Sequence, residues 1–208
     1  MSTALSILYL SFNEEDIFGH SLESVKTIAD EIIVVDSGST DSTVEIAESA
    51  GATVYSRPLG NWGEQRNWGL KKCRYSWVLV VDCDEVFSPE LISSILRWKS
   101  IEHSEDQPYS FKRVHFFKGK KMKFSGLQND YIVRLLPKSM KFEELNVHEK
   151  VRSASVRLKG NLFHYTYKNA AHWEQKFRTY AKRQALDYES KVGRIGPYYL
   201  NVKPSWRF

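Results

Sequence analysis

Glu31-Ile32-Ile33-Val34-Val35-Asp36 runs into Ser37-Gly38-Ser39-Thr40-Asp41-Ser42 and then into an amphipathic stretch that ends at Gly51. A run that is wholly apolar between two acidic residues has no solvent side, as expected of a parallel strand covered on both faces by helices. The polar turn, the helical spacing and the closing glycine complete a strand, turn and helix unit. The same grammar recurs on both sides. Residues 4–11 are a short apolar strand, with Asn13 as a helix cap and Glu14, Glu15 and Asp16 in the following first turn. Thr53 to Ser56 is a third strand, Gly63 to Cys73 a third helix, and Trp77 to Asp82 a fourth strand. Ser88-Pro89-Glu90 then opens a helix to about Trp98, with serine as cap and proline at the first position. The first hundred residues therefore predict βα units around a mostly parallel, Rossmann-like sheet, an α/β fold.

After residue 106 the pattern changes. Residues 109–117, 131–136, 151–158 and 162–167 are strand-like, and one long helix is expected from Asn169 to about Val192. We expect a soft boundary near residue 105, with 1–105 as one half and 106–208 as an α+β half that completes the same domain. The 208 residues have room for one such domain and hardly for two. Thirty Lys and Arg against twenty-five Asp and Glu give a net charge of +5, which excludes disorder by charge excess and mildly favours anionic partners. Two cysteines, Cys73 and Cys83, are too few for a disulfide framework and suggest a reducing compartment. The N-terminus lacks a secretory signal pattern, and no window reaches the roughly eighteen apolar residues of a spanning helix, so a cytoplasmic chain is expected.

Ligands of open α/β sheets collect outside the carboxyl ends of the strands, which here carry Asn13, Glu14, Asp36 and the run Asp82-Cys83-Asp84-Glu85. The first βα turn has neither GxGxxG nor a P-loop, so both phosphate cradles fail where they should stand. An acceptor-rich rim suits hydrogen bonding to a base and a ribose instead, although Glu14 to Asp16 could equally serve the helix start. Asp82 and Asp84 flank one residue at a strand end, where both can turn to one cation, or one to a metal and the other to a ribose. Two unpaired carboxylates there would expel a diphosphate, each contact at about 4 Å being worth ~4 kcal/mol at an effective dielectric of 20, unless a divalent ion intervened. Mg²⁺ or Mn²⁺ carrying a nucleotide diphosphate is the expected cofactor arrangement.

As a set, SFNEE (11–15), VDSGSTDST (35–43), GNWGEQRNWGL (60–70) and VLVVDCDEVFSPEL (78–91) resemble the family 2 glycosyltransferases of GT-A fold. With VHE (147–149) and HYTY (164–167) they look most like the bacterial lipopolysaccharide core β-glucosyltransferases. The resemblance implies that Asn13, Glu14 and Asp36 surround uracil and ribose, that Arg66 lies near the nucleotide, and that Asp82 and Asp84 form the nucleotide-sugar and metal motif. Cys83 stands in the middle position of that motif, with its side chain expected to point away from the cation. The resemblance also implies a general base in the VHE segment. Glu149 is the candidate, Asp130 its main rival among Glu143 and Glu144, and His148 a group that orients Glu149 or touches the acceptor. His164 is a further candidate metal ligand, whereas His20, His103, His115 and His172 carry no motif.

The activity so implied is inverting transfer of a hexose, glucose from UDP-glucose, to a sugar hydroxyl of a lipopolysaccharide core or another lipid-linked glycan. A nucleotidyltransferase would also use paired carboxylates and a divalent ion, but needs a basic, glycine-rich loop where SFNEED stands. A nucleic-acid-binding module fits the basic charge, yet no recognition motif occurs and acidic strand ends repel a phosphate backbone, so no nucleic-acid partner is expected. The apolar spacing of Trp173, Phe177, Tyr180 and Tyr188 fits a helix packed onto the sheet, whereas the aromatic, basic tail ending in Trp206-Arg207-Phe208 suggests peripheral attachment to an anionic membrane surface. That places the chain at the cytoplasmic face of the inner membrane.

Overall fold

Seven consecutive residues of the first strand, Leu5–Ser11 (β1), are buried, as the apolar run requires of a strand with helices on both faces. In the computed structural model, residues 2–104, 106–122, 129–143, 151, 153–167, 174 and 178 are described. The first elements follow in order as β1, α1 (Glu15–Val25), β2 (Glu31–Asp36), α2 (Thr43–Ser49), β3 (Thr53–Ser56), α3 (Trp62–Lys72) and β4 (Trp77–Asp82). The four strands are parallel neighbours in the order β3-β2-β1-β4. Alternate residues serve opposite faces. Leu5, Ile7 and Tyr9 pack with Phe18, Leu22 and Ala47 from α1 and α2, while Leu8 and Leu10 pack with Leu70 and Cys73 at the end of α3.

The expected third helix, fourth strand and capped fourth helix are present. Asn61 caps α3, its side chain accepting from Glu64 N at 2.7 Å. Ser88 caps α4 (Pro89–Lys99) by accepting from Leu91 N at 3.2 Å, with the proline in the first turn. Asn13 differs from expectation. The cap position of α1 is Glu14, and Asn13 itself takes a left-handed conformation with φ 54°.

The second half adds β6 (Tyr109–Phe117), β7 (Lys120–Lys121), β8 (Tyr131–Pro137) and β9 (Val156–Tyr167). With the unexpected short strand β5 (Glu85–Phe87), they extend the same sheet as β4-β8-β6-β9-β5, and β7 pairs with β6. Val151–Leu158 and 162–167, expected as two strands, are instead one strand from Val156, interrupted by a bulge. Between Ser110↔Arg157 and Lys112↔Asn161, β9 advances four residues while β6 advances two. Gly160 sits in that bulge at φ +107°, where a Cβ would lie 2.3 Å from Leu91 N. Ser88 N donates to Asn161 O and Asn161 N to Ser88 Oγ, both at 3.0 Å, so α4 begins on this bulge.

Connectivity then forces the sheet to curl. β5 starts three residues after β4 ends, a reach of about 11 Å. Four strand spacings separate β5 from β4 in the sheet, which laid flat would be about 19 Å. The far edge therefore folds back over the carboxyl end of β4, so that side chains of β8, β6 and β9 meet Asp82, Asp84 and Glu85.

Among the described residues no helix is long and apolar enough to cross a membrane. Glu174 and Arg178 are helical and form an ion pair at 2.8 Å. The rest of the expected long helix and the aromatic, basic tail lie outside the described residues.

Candidate active site

Two loops interlock at the carboxyl ends of β1 and β2. Asn13 N donates to Ser39 Oγ at 2.9 Å, Asn13 Oδ1 accepts from Thr40 N at 2.8 Å, and Glu14 N donates to Thr43 Oγ1 at 2.8 Å. Asp36 organises the second loop from within. Its Oδ2 accepts from the backbone of Gly38 and Ser39 at 2.9 and 2.8 Å, and its Oδ1 from Ser11 Oγ and Ser39 Oγ at 2.8 and 2.5 Å. Burial opposes the charge of Asp36, yet the hydrogen bonds from Ser39, Ser11 and Gly38 outweigh it and hold the carboxyl below its usual range. With four donors already on its two oxygens, Asp36 is the group that shapes this rim. Beside Asn13, the ring of Phe12 is 51% exposed, an aromatic face at the mouth of the site that the sequence reading passed over.

The motif at the end of β4 divides into two different sites. Asp82 was expected as an unpaired carboxylate, and the structure corrects this. Its Oδ1 accepts from Arg66 Nη2 at 2.7 Å, and its Oδ2 is in contact with Arg134 Nη2. Arg66, expected near the nucleotide, is buried and bound to Asp82. Arg134 on β8 also donates to the fully buried Glu85 at 2.7 Å. Burial alone would raise the pKa of Asp82, but the two guanidiniums, Arg134 foremost, hold it far below the carboxylate range.

Asp84 faces the other way. Its Oδ1 lies 3.3 Å from His164 Nε2 on β9, and its backbone carbonyl accepts from Tyr165 N at 2.9 Å. His164 is largely buried, which would discharge it, yet the neighbouring Asp84 carboxylate raises its pKa above the usual imidazole value. Behind it, His164 Nδ1 meets His115 Nδ1 at 3.2 Å, and His115 Nε2 meets Asp130 Oδ2 at 2.8 Å. Cys83 turns inward as expected, its thiol donating to Leu10 O at 3.3 Å, and burial pushes its pKa well up.

Asp130 is engaged by Arg113 Nε at 2.7 Å as well as by His115. Against the pull of burial, those two partners depress its pKa far below the ordinary carboxylate value, which makes it a weak proton acceptor. Glu149 and His148 lie outside the described residues, as does Glu144.

Among the described residues no group of three or more His, Cys, Asp or Glu converges as a ready metal site. Asp84 and His164 still provide a carboxylate oxygen and an imidazole nitrogen turned on each other, a donor pair open to a divalent cation, with the imidazole favouring Mn²⁺ over the oxygen-seeking Mg²⁺. Asp82, Asp84, Glu85 and Asp130 outnumber Arg66, Arg113 and Arg134 by one, so the strand end carries no excess of arginine charge against a cation.

Arg134, Arg113 and His115 were missed by the sequence reading. Their signals were faint but physical: a cation inside the apolar strand Tyr131–Pro137, and two polar residues at period two on β6.

These strand ends fall inside a match to the family model described as glycosyl transferase family 2, which covers residues 6–158. An uncharacterized glycosyltransferase of Rickettsia typhi is 28% identical over 220 residues, 98% of this chain and 74% of that protein. LpsC of Rhizobium meliloti, a lipopolysaccharide core biosynthesis glycosyltransferase, is 32% identical over 110 residues, 46% of this chain and 40% of that protein. Among solved structures, the glucosyl-3-phosphoglycerate synthase of Mycobacterium tuberculosis with Mn²⁺, UDP and glucosyl-3-phosphoglycerate is similar at 26% identity and a TM-score of 0.42. That likeness covers 55% of this chain and 44% of the mycobacterial one, so this chain spans less than half the length of that enzyme. The matched span contains the parallel strands, the interlocked rim loops and the DxD-bearing strand end of a GT-A architecture, and on it the chain belongs to glycosyl transferase family 2.

Proposed function

We propose that this family 2 glycosyltransferase moves a hexose, glucose from UDP-glucose, to a sugar hydroxyl of a lipopolysaccharide core or another lipid-linked glycan, with inversion at the anomeric carbon. The observation that carries the reading is Asp84 Oδ1 turned on His164 Nε2 at the carboxyl end of β4. Residues 1–105 bind the donor. The rim of Asn13, Glu14 and Asp36 receives uracil and ribose, with Phe12 offering an apolar face beside them. Asp84 and His164 would hold Mn²⁺ or Mg²⁺, which when bound would supply positive charge against the diphosphate leaving group. Asp82 contributes through Arg66, which its carboxylate orients at the nucleotide side.

Residues 106–208 receive the acceptor and supply the base. Glu149 takes the proton from the acceptor hydroxyl, with His148 beside it in sequence, because Asp130 is committed to Arg113 and His115. The likeness to a lipopolysaccharide core enzyme supports the acceptor class. The aromatic and basic C-terminal tail supports reversible attachment to the anionic cytoplasmic face of the inner membrane, at about 1 kcal/mol per cation near the leaflet. Nucleic acid is no partner in this reading, since the acidic rim repels a phosphate backbone.

The test is a thermal-shift panel of UDP-glucose, UDP-galactose and UDP-GlcNAc with and without Mn²⁺. A donor at 100 times its Kd adds about 2.7 kcal/mol, or roughly 5–11 °C for a chain of this size. Asp84→Ala should abolish the Mn²⁺-dependent part of that shift while the unliganded fold melts normally. Absence of any UDP-sugar shift with Mn²⁺ would overturn the donor reading, and failure to sediment with anionic liposomes at low salt would remove the membrane claim.

A further inference from the structure

A chain of polar side chains runs behind the Asp84 and His164 pair, and the transfer reaction itself does not use it. His115 and His164 are directly opposed on the parallel strands β6 and β9, Nδ1 to Nδ1 at 3.2 Å. His115 Nε2 lies 2.8 Å from Asp130 Oδ2, which Arg113 Nε also reaches at 2.7 Å. His115 is 8% exposed, so solvent has little access to these bonds. An ionised carboxylate can only accept, and His115 Nε2 therefore donates to Asp130. With its proton on Nε2, His115 offers Nδ1 as an acceptor, and His164 donates from its own Nδ1. His164 Nε2 is left turned on Asp84 Oδ1 at 3.3 Å. That contact holds when positive charge stands between the two atoms, a proton in the ion pair with Asp84 or a divalent cation in the proton's place.

We propose that His115 and Asp130 are positioning residues that hold the His164 ring with Nδ1 protonated and Nε2 aimed at Asp84, presetting the two protein ligands of a divalent cation. The inference rests on the reading of Asp84 and His164 as the groups that hold the ion. An imidazole ligand whose remote nitrogen is fixed by an outer partner loses about 10–100-fold in metal affinity when that partner is removed. Arg113 completes the arrangement by keeping Asp130 ionised.

The test uses the full chain with UDP and two readouts besides activity: Mn²⁺ affinity from the electron paramagnetic resonance signal of unbound Mn²⁺, and the ¹⁵N pattern of His164 with Mg²⁺. His115→Phe removes both ring nitrogens, and Asp130→Asn removes the accepting charge. His115→Asn keeps an acceptor where Nδ1 stood. We expect His115→Phe and Asp130→Asn to weaken Mn²⁺ by about 10–100-fold and to shift His164 from the single Nδ1–H form to mixed tautomers. His115→Asn should recover part of the loss. Should His115→Phe fail to fold, His115→Asn and Asp130→Asn give the same comparison. Wild-type Mn²⁺ affinity and an unchanged His164 pattern in these variants, with Mn²⁺ lost in His164→Ala, would overturn the positioning role and leave the cation site standing. Wild-type affinity in His164→Ala as well would overturn both.

Discussion

Arg134→Met removes the cation that joins the two halves of the sheet at the active site. Arg134 is 2% exposed and binds two carboxylates, Asp82 and the fully buried Glu85, the latter at 2.7 Å. At an effective dielectric of 20, the contact with Glu85 is worth about 6 kcal/mol of Coulomb energy, offset by the several kcal/mol spent in desolvating each ion. Methionine fills most of the space but returns no charge. Glu85 is then left with Arg113 Nη1 at 3.7 Å, and Asp82 with Arg66 alone. Removing one partner of a buried pair costs about 3–5 kcal/mol, a large fraction of the roughly 5–15 kcal/mol by which domains are stable. Urea denaturation followed by far-ultraviolet circular dichroism should show this loss at an unchanged slope, with a melting point lower by about 6–20 °C. Glu85→Gln added to Arg134→Met should restore about 1–3 kcal/mol, because an amide needs hydrogen bonds but no counter-charge. An Arg134→Met protein within about 1 kcal/mol of wild type, or one made worse by Glu85→Gln, would refute the claim that this arginine neutralises a buried carboxylate cluster.

Glu149→Gln should lower kcat by about 10² or more with donor affinity unchanged, as the amide keeps the shape and cannot accept the proton. Asp130→Asn should lose turnover that added Mn²⁺ restores, and steady-state kinetics at high and low metal separate the two. Gly160→Ala should cost more than about 3 kcal/mol, since its Cβ would meet Leu91 N at 2.3 Å and the backbone is at φ +107°. Gly51→Ala, at φ +81° with nothing within 4 Å, should cost only about 1 kcal/mol on the same chemical denaturation curves. Asp36 is depressed in the folded state, so its contribution is fully present above the ordinary carboxylate value and is lost as pH falls below about 4. Asp36→Asn should therefore be less stable at neutral pH by about 1–3 kcal/mol and show a shallower acid limb in a pH series of melting points.

The apolar runs that end in acidic residues located β1, β2 and β4 from the sequence, because a strand covered on both faces leaves no room for alternation. The Ser88-Pro89 start of α4 was equally legible, since a cap is a contact between residues three apart. The alternation along β4 also foretold that Cys83 turns inward. β5 escaped notice because three residues carry no period to read, and the bulge at Gly160 merged two expected strands into one. Only the tertiary structure decided which carboxylate is neutralised and which is turned on a histidine. Asp82 takes Arg66 from sixteen residues away and Arg134 from fifty-two, while Asp84 meets His164 on a strand from the other half of the chain. The local pattern around Asp82-Cys83-Asp84 is nearly symmetrical. The partners are not, because the order β4-β8-β6-β9-β5 and the three-residue step from β4 to β5 curl the sheet and bring β8 to one side of the motif and β9 to the other. The charge state of a strand end is set by what the rest of the sheet lays against it, and strand order is a long-range property that no local spacing encodes.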